Sequence, residues 1–276
     1  MGSLDSTKDE LTVLVTGFGP FKEQYPVNPA WEITASLPDY LPPDRVKDPA
    51  RQAPSALPPV RILKHGPVRV NYQVVRDLVP TLWDNPEQKV DYVIHIGMAG
   101  PQHVYSIERR GHRDGYDKQD VDGQLLGDEQ RHKLEGDKWI WHDVPEELVT
   151  DLEIGRIYKR WVERSPISDD AGHYLCDFIY FSSLAHLYKQ ERPKKVIFFH
   201  VPLHSDPESL SRGKELALQL IKSVCEPSII AKCKITWVGC GSHISSVLDN
   251  IPPQEWCVCE PKVQVNDKTY PPGAKF

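Results

Sequence analysis

Three stretches constrain this chain more than any other feature. Leu11-Thr12-Val13-Leu14-Val15-Thr16, Val90-Asp91-Tyr92-Val93-Ile94-His95-Ile96 and Lys194-Lys195-Val196-Ile197-Phe198-Phe199-His200-Val201-Pro202 are apolar, β-rich runs closed by glycine or proline. A strand wetted on one face alternates polar with apolar residues; a near-continuous run is covered on both faces, as in parallel sheets flanked by helices. Helical patterns separate the runs. Asn28-Pro29 supplies an N-cap and a first-turn proline for a helix over 30–37 that stops before Pro38. Val74–Trp83 places Leu78, Val79 and Leu82 on one face, and further helices are predicted at about 171–190 and Ser209–Cys225. Strands alternating with helices predict an α/β fold, a three-layer α/β/α sandwich on a mostly parallel, open, twisted sheet. Ligands of such sheets gather at the carboxyl ends of the strands. That rule brings the loops Gly17–Phe21, Gly97–Gly100 and His200–Pro202 to one mouth.

The intervening sequence is less regular. Residues 38–67 are rich in proline and read as an inserted surface loop. Val68–Tyr72 reads as a short strand, Val104–Glu108 as strand-like, 109–137 as mostly loop, and Pro145–Arg164 as helical. A C-terminal extension at about 227–276 holds one possible strand, Ile235–Val238, within irregular Pro-rich sequence. We expect a single domain over 1–276 carrying these additions. With 276 residues, 39% of them hydrophobic and 26% charged, a sizeable core is available. A net charge of −6 without a dense basic block argues against a nucleic-acid partner, and no apolar run is long enough for a membrane span. The first ten residues lack an apolar leader. The six cysteines therefore read as reduced thiols in a cytoplasmic protein, not as a disulfide framework.

The richest chemistry lies in Ser168-Asp169-Asp170-Ala171-Gly172-His173-Tyr174-Leu175-Cys176-Asp177-Phe178, where a polar turn runs into an apolar helix. A cysteine in the first turn feels the positive end of the helix dipole, which favours thiolate, the nucleophilic form. His200, at a strand end, is the natural base. His103, His112 and His204 lie in loops near the same mouth and compete with it, whereas His95, inside a strand, reads as structural. A thiol–imidazole pair also needs an acceptor to fix the ring tautomer. Glu108 is the candidate, although alone it reads as a solvated acid. Neither glycine loop matches a P-loop or a dinucleotide fingerprint. Cys240, His243, Cys257 and Cys259 offer soft ligands, but Cys-x-Cys is not the usual zinc spacing. No cofactor and no metal are predicted.

Four segments carry a resemblance to a known family. They are Thr16-Gly17-Phe18-Gly19-Pro20-Phe21 with Asn28-Pro29; Gly97-Met98-Ala99-Gly100 with Ile107-Glu108-Arg109; Asp170-Ala171-Gly172-His173-Tyr174-Leu175-Cys176-Asp177; and Phe199-His200-Val201-Pro202. In this order and at these separations they resemble pyroglutamyl peptidase type I, the pyrrolidone carboxyl peptidases, and Asp177, Gly111-His112 and Gly115-Tyr116 resemble the eukaryotic branch. The resemblance implies a cysteine exopeptidase that removes an N-terminal pyroglutamyl residue from peptides, with Glu108, Cys176 and His200 as its triad. It implies that Phe18 and Phe21 wall the ring pocket, with Tyr174, Leu175, Met98 and Val70 as further pocket positions. Gly19 and Met98 depart from the residues many members carry. Residues 38–67, parts of 124–150 and the tail beyond about 223 fall outside the resemblance. Two other activities fit the same residues: a cysteine amidohydrolase or acyl transferase on the same scaffold, and a silent homologue that binds peptide ends.

Overall fold

The computed structural model describes residues 10–21, 26–43, 57–99, 104–161, 167–231, 244–249, 251, 256, 262–265 and 268–271. It divides into two compact units, Met1–Val224 and Cys225–Phe276. In chain order the first unit holds β1 (Leu11–Phe18), α1 (Pro29–Ser36), β2 (Val60–Val68), α2 (Tyr72–Trp83), β3 (Tyr92–Met98), β4 (Ser106–Glu108), β5 (Arg110–His112), α3 (Asp128–Glu135), β6 (Glu147–Val149), α4 (Ile154–Arg160), β7 (Ile167–Ser168), α5 (Leu175–Lys189), β8 (Val196–Val201) and the start of α6 (Pro207–Ala231).

The main sheet runs β2-β1-β3-β8-β4-β7. All its pairings are parallel except β4 against β8. The three apolar runs form its centre, and β8 is buried at every position. The chain leaves β1 for β2 on one side and for β3 on the other, so the strand order reverses at β1. In an open α/β sheet the crevice beyond the strand ends at such a reversal is where ligands bind.

The two faces are covered by different helices. On one, α2 and α5 share a core with Phe198 and Val196 of β8. On the other, Phe199 meets Trp161, whose indole N–H donates to the Leu216 carbonyl of α6 at 3.0 Å. Gly213 of α6 lies against Ile33 of α1 on that side. The α1 helix starts as its sequence dictates, with the Asn28 carboxamide oxygen accepting from Ala30 N–H at 3.0 Å. The same side chain donates to the Gly19 carbonyl at 2.8 Å, tying the β1 loop to the helix.

Several expectations need correction. The strand read at Val68–Tyr72 is β2, Val60–Val68, which lies within the stretch read as an inserted loop. It is an edge strand with a mixed burial pattern, so Lys64-His65-Gly66-Pro67 disguised it. The helix expected over Pro145–Arg164 is the strand β6 followed by the short α4. The segment 109–137 holds β5 and α3 in addition to loop. In the second unit the described residues include α7 (Ile244–Leu248) and an antiparallel pair, β9 (Val263–Val265) with β10 (Lys268–Tyr270). Tyr270, Leu248 and Ile244 form a small core there. The Tyr270 hydroxyl donates to Asp249 at 2.8 Å. Ile235–Val238, Cys240, His243, Cys257 and Cys259 lie outside the described residues. Among the described residues no helix is long and apolar enough to cross a membrane.

Candidate active site

The sheet register builds the site. On β8, Phe198 and His200 point to the α5 face. The antiparallel β4 sets Ser106 opposite His200 and Glu108 opposite Phe198, so all four side chains share that face. His200 Nδ1 lies 2.7 Å from Glu108 Oε1, with both residues buried. Because a carboxylate only accepts, Nδ1 carries the proton, and Nε2 at the far edge of the ring is left for a second partner. The Ser106 hydroxyl donates to the same Glu108 oxygen at 3.0 Å. The Tyr180 hydroxyl donates to the Glu108 backbone carbonyl at 3.1 Å, fixing β4 against α5.

Cys176 is the second residue of α5. Tyr174, the N-cap, makes no side-chain capping bond, so no cap side chain occupies the first-turn N–H groups. The sulfur rests against β3 at Gly97. A Cβ on that residue would stand 2.7 Å from Cys176 Sγ and 2.5 Å from the Phe198 ring, so Gly97 is required by close approach rather than by turning. Burial opposes charge on His200. Its hydrogen bonds to Cys176 and Glu108, with their charges, outweigh burial and push the imidazole up to about 10.

Phe18 and Val70 are buried in one apolar cluster with Leu175, and Phe21, Tyr174 and Cys176 pack against that cluster. Tyr174 is oriented by its hydroxyl, which donates to the Gln119 carbonyl at 3.1 Å, and by edge contact with Tyr72 at 6.2 Å. Met98, at the end of β3 opposite Val201, is half-buried and is not part of that cluster. Gly100 lies outside the described residues.

The competing histidines separate cleanly. His95 is wholly buried between Thr16 Oγ1 and Ser183 Oγ, both at 2.8 Å, and burial lowers it to about 3. It is neutral, as its place inside a strand implied. His204 is exposed and His103 lies outside the described residues. His112 pairs not with the thiol but with Asp177, whose carboxylate accepts from its ring at 3.0 Å and from its backbone N–H at 3.1 Å. That hydrogen bond raises the His112 imidazole against the effect of its burial. Ser106 and Tyr180 were not anticipated from sequence. Both signals were available: Ser106 shares a strand face with Glu108 by the two-residue period, and Tyr180 shares a helix face with Cys176 four residues back.

An open α/β sheet that brings a thiol, an imidazole and a carboxylate together beside an aromatic cluster defines a class, the cysteine hydrolases. Comparison with known proteins specifies it. Residues 70–236 match the pyroglutamyl peptidase family, a span that includes Glu108, Cys176 and His200 but begins after Phe18 and Phe21. Residues 224–267 match a domain of unknown function. The chain is 32% identical over 231 residues to the pyrrolidone-carboxylate peptidase of Pyrococcus furiosus, covering 79% of this chain and 98% of the relative. It is 29% identical over 222 residues to mouse pyroglutamyl-peptidase 1, covering 78% and 91%. A solved structure of the Pyrococcus furiosus pyrrolidone carboxyl peptidase shares the fold, with a TM-score of 0.56 over 80% of this chain and 99% of that one at 24% identity. The chain belongs to the pyroglutamyl peptidase family.

Proposed function

We propose that this protein hydrolyses the bond between an N-terminal pyroglutamyl residue and the rest of a peptide, with Cys176 as nucleophile, His200 as general base and acid, and Glu108 as the residue that orients His200. The observation that carries this reading is the buried 2.7 Å contact between His200 and Glu108, with the Cys176 sulfur set against Gly97, the residue paired with His200 across the sheet.

The pyroglutamyl ring is a neutral lactam without an α-ammonium group. An apolar slot suits it, and Phe18 and Phe21, with Val70, Tyr174 and Leu175 of the same cluster, supply that slot, with Met98 outside that cluster. Free glutamine or glutamate would bring unpaired charge into it, which is costly. In the reaction Cys176 sulfur, its proton held by His200, bonds to the pyroglutamyl carbonyl carbon. The oxyanion forms beside the uncapped N–H groups that open α5. The C–N bond breaks, the amine takes the His200 proton, and a thioester remains. Water, deprotonated by His200, then adds to the thioester carbonyl, and the C–S bond breaks to release pyroglutamate and the Cys176 thiolate beside the protonated His200. Glu108 keeps Nδ1 protonated throughout and stabilises the imidazolium. A nucleophilic thiol needs a reducing compartment, which fits the cytoplasm; Cys176 is in no disulfide. The partners this predicts are small peptides blocked by pyroglutamate.

The test compares pyroglutamyl, glutamyl and prolyl reporter amides. The pyroglutamyl amide should be turned over and the other two should not. Cys176→Ala should lose about 10⁴-fold or more of that turnover. Equal turnover of the three amides, or activity surviving in Cys176→Ala, contradicts the assignment.

A further inference from the structure

Beside the nucleophile helix lies a second cluster that the proposed reaction does not use. His112, at the end of β5, and Asp170 and His173, in the loop before α5, each offer a ligand atom, and these atoms lie within 4.8 Å of one another. The two imidazole rings lie with centroids 4.8 Å apart and planes tilted by 47°. Both are oriented through Nδ1. His112 Nδ1 is held by the Asp177 carboxylate at 3.0 Å, and His173 Nδ1 donates to the Asp114 carbonyl at 3.1 Å. The Asp177 carboxylate also stands 3.7 Å from His173 Nδ1, and an ion bound with these Nδ1 bonds kept would take Nε2 of each ring. An imidazole braced through one nitrogen by a carboxylate or carbonyl, with the other nitrogen turned to the ion, is the recurring support of metal-bound histidine. Asp170 is held as well, with Oδ1 accepting from Gly172 N–H at 2.8 Å. Glu147 stands 4.0 Å from His112 Nε2 and offers a fourth oxygen.

We propose that His112, His173 and Asp170 form a binding site for a divalent transition-metal ion of the zinc class, with Glu147 or water completing the coordination. Two imidazole nitrogens and carboxylate oxygen suit zinc and cobalt rather than calcium or magnesium, which take oxygen alone. Zinc–ligand bonds of about 2.0–2.2 Å put tetrahedral ligands about 3.4 Å apart, so the cluster must contract on binding. Asp170 is exposed and the His173 side chain is 42% exposed, so both have room to swing inward. A bound ion would tie β5 to the loop that leads into α5, one turn before Cys176.

Cobalt titration of the full-length Cys176→Ala protein tests this, because removing that thiol leaves the cluster intact. Cobalt should bind with d–d absorption attributable to nitrogen and oxygen ligands. The double variant Asp170→Asn/His173→Ala in the same background should lose one equivalent, or weaken it at least about tenfold. Cysteine-bound cobalt elsewhere in the chain would announce itself by thiolate charge-transfer bands and would persist in the double variant. If the double variant, folded by circular dichroism, binds cobalt with the same stoichiometry, affinity and spectrum, or if the parent binds none, the site does not exist. The readout is binding rather than turnover, so this result is independent of the assignment of the reaction.

Discussion

Two histidine–carboxylate pairs flank Cys176, and they differ in what the far side of the ring meets. Glu108–His200 spans 2.7 Å and is buried, and the Cys176 sulfur lies against Gly97, the residue paired with His200 across the sheet. Asp177–His112 spans 3.0 Å, with the carboxylate fully buried, and its imidazole faces His173 and Glu147 instead. Successive helix residues diverge by about 100° around the axis. Cys176 therefore turns toward the sheet at β3 and β8, while its neighbour Asp177 turns toward β5. The same acid–base chemistry is thus placed twice within one helical turn. On our account the first pair moves protons and the second braces the loop that mounts the nucleophile.

The comparison breaks most visibly at Glu108. Glu108→Gln should lower kcat/KM on a pyroglutamyl amide by about 10²–10⁴-fold while leaving the fold intact. It should also move the alkaline limb of the pH profile. His200 sits above its unfolded value, so its proton, and the stability it contributes, are fully present below about pH 6.5 and are lost as pH rises through about 10. Removing the carboxylate removes one of the groups that hold that proton, so the limb should shift to lower pH. A profile identical to that of the parent would contradict the role given to Glu108. A smaller effect is expected at the second pair. His112→Gln should destabilise the protein by about 1–3 kcal/mol, seen as a lower Tm, because the buried Asp177 loses its ring donor. Its kcat/KM should fall by less than about tenfold. A loss in kcat/KM as large as that of Glu108→Gln, at unchanged Tm, would erase the distinction between the two pairs.

Much of this is legible in the amino-acid sequence. The buried strands betrayed themselves by unbroken apolar runs, and the sheet rule then brought His200 and the two glycine loops to one mouth. What escaped has physical reasons. β2 is an edge strand whose outer half is polar, so it lacked the signature of its neighbours. The 110s escaped because β5 and β6 pair over only three residues each, too short for any periodicity to register. Ser106 escaped because a serine in a strand is ordinary until its register against His200 is known. Asp177 was visible only as part of a motif. Its burial and its hold on His112 depend on packing between α5 and β5, which no local pattern encodes.

The account rests on His200 and Glu108 acting as one unit, and a double-mutant cycle tests that most directly. kcat/KM on a pyroglutamyl amide is measured for the parent, Glu108→Gln, His200→Gln and the double variant. If Glu108 works only through His200, the double variant loses no more than His200→Gln alone. Losses that multiply, as for two independent groups, would contradict it.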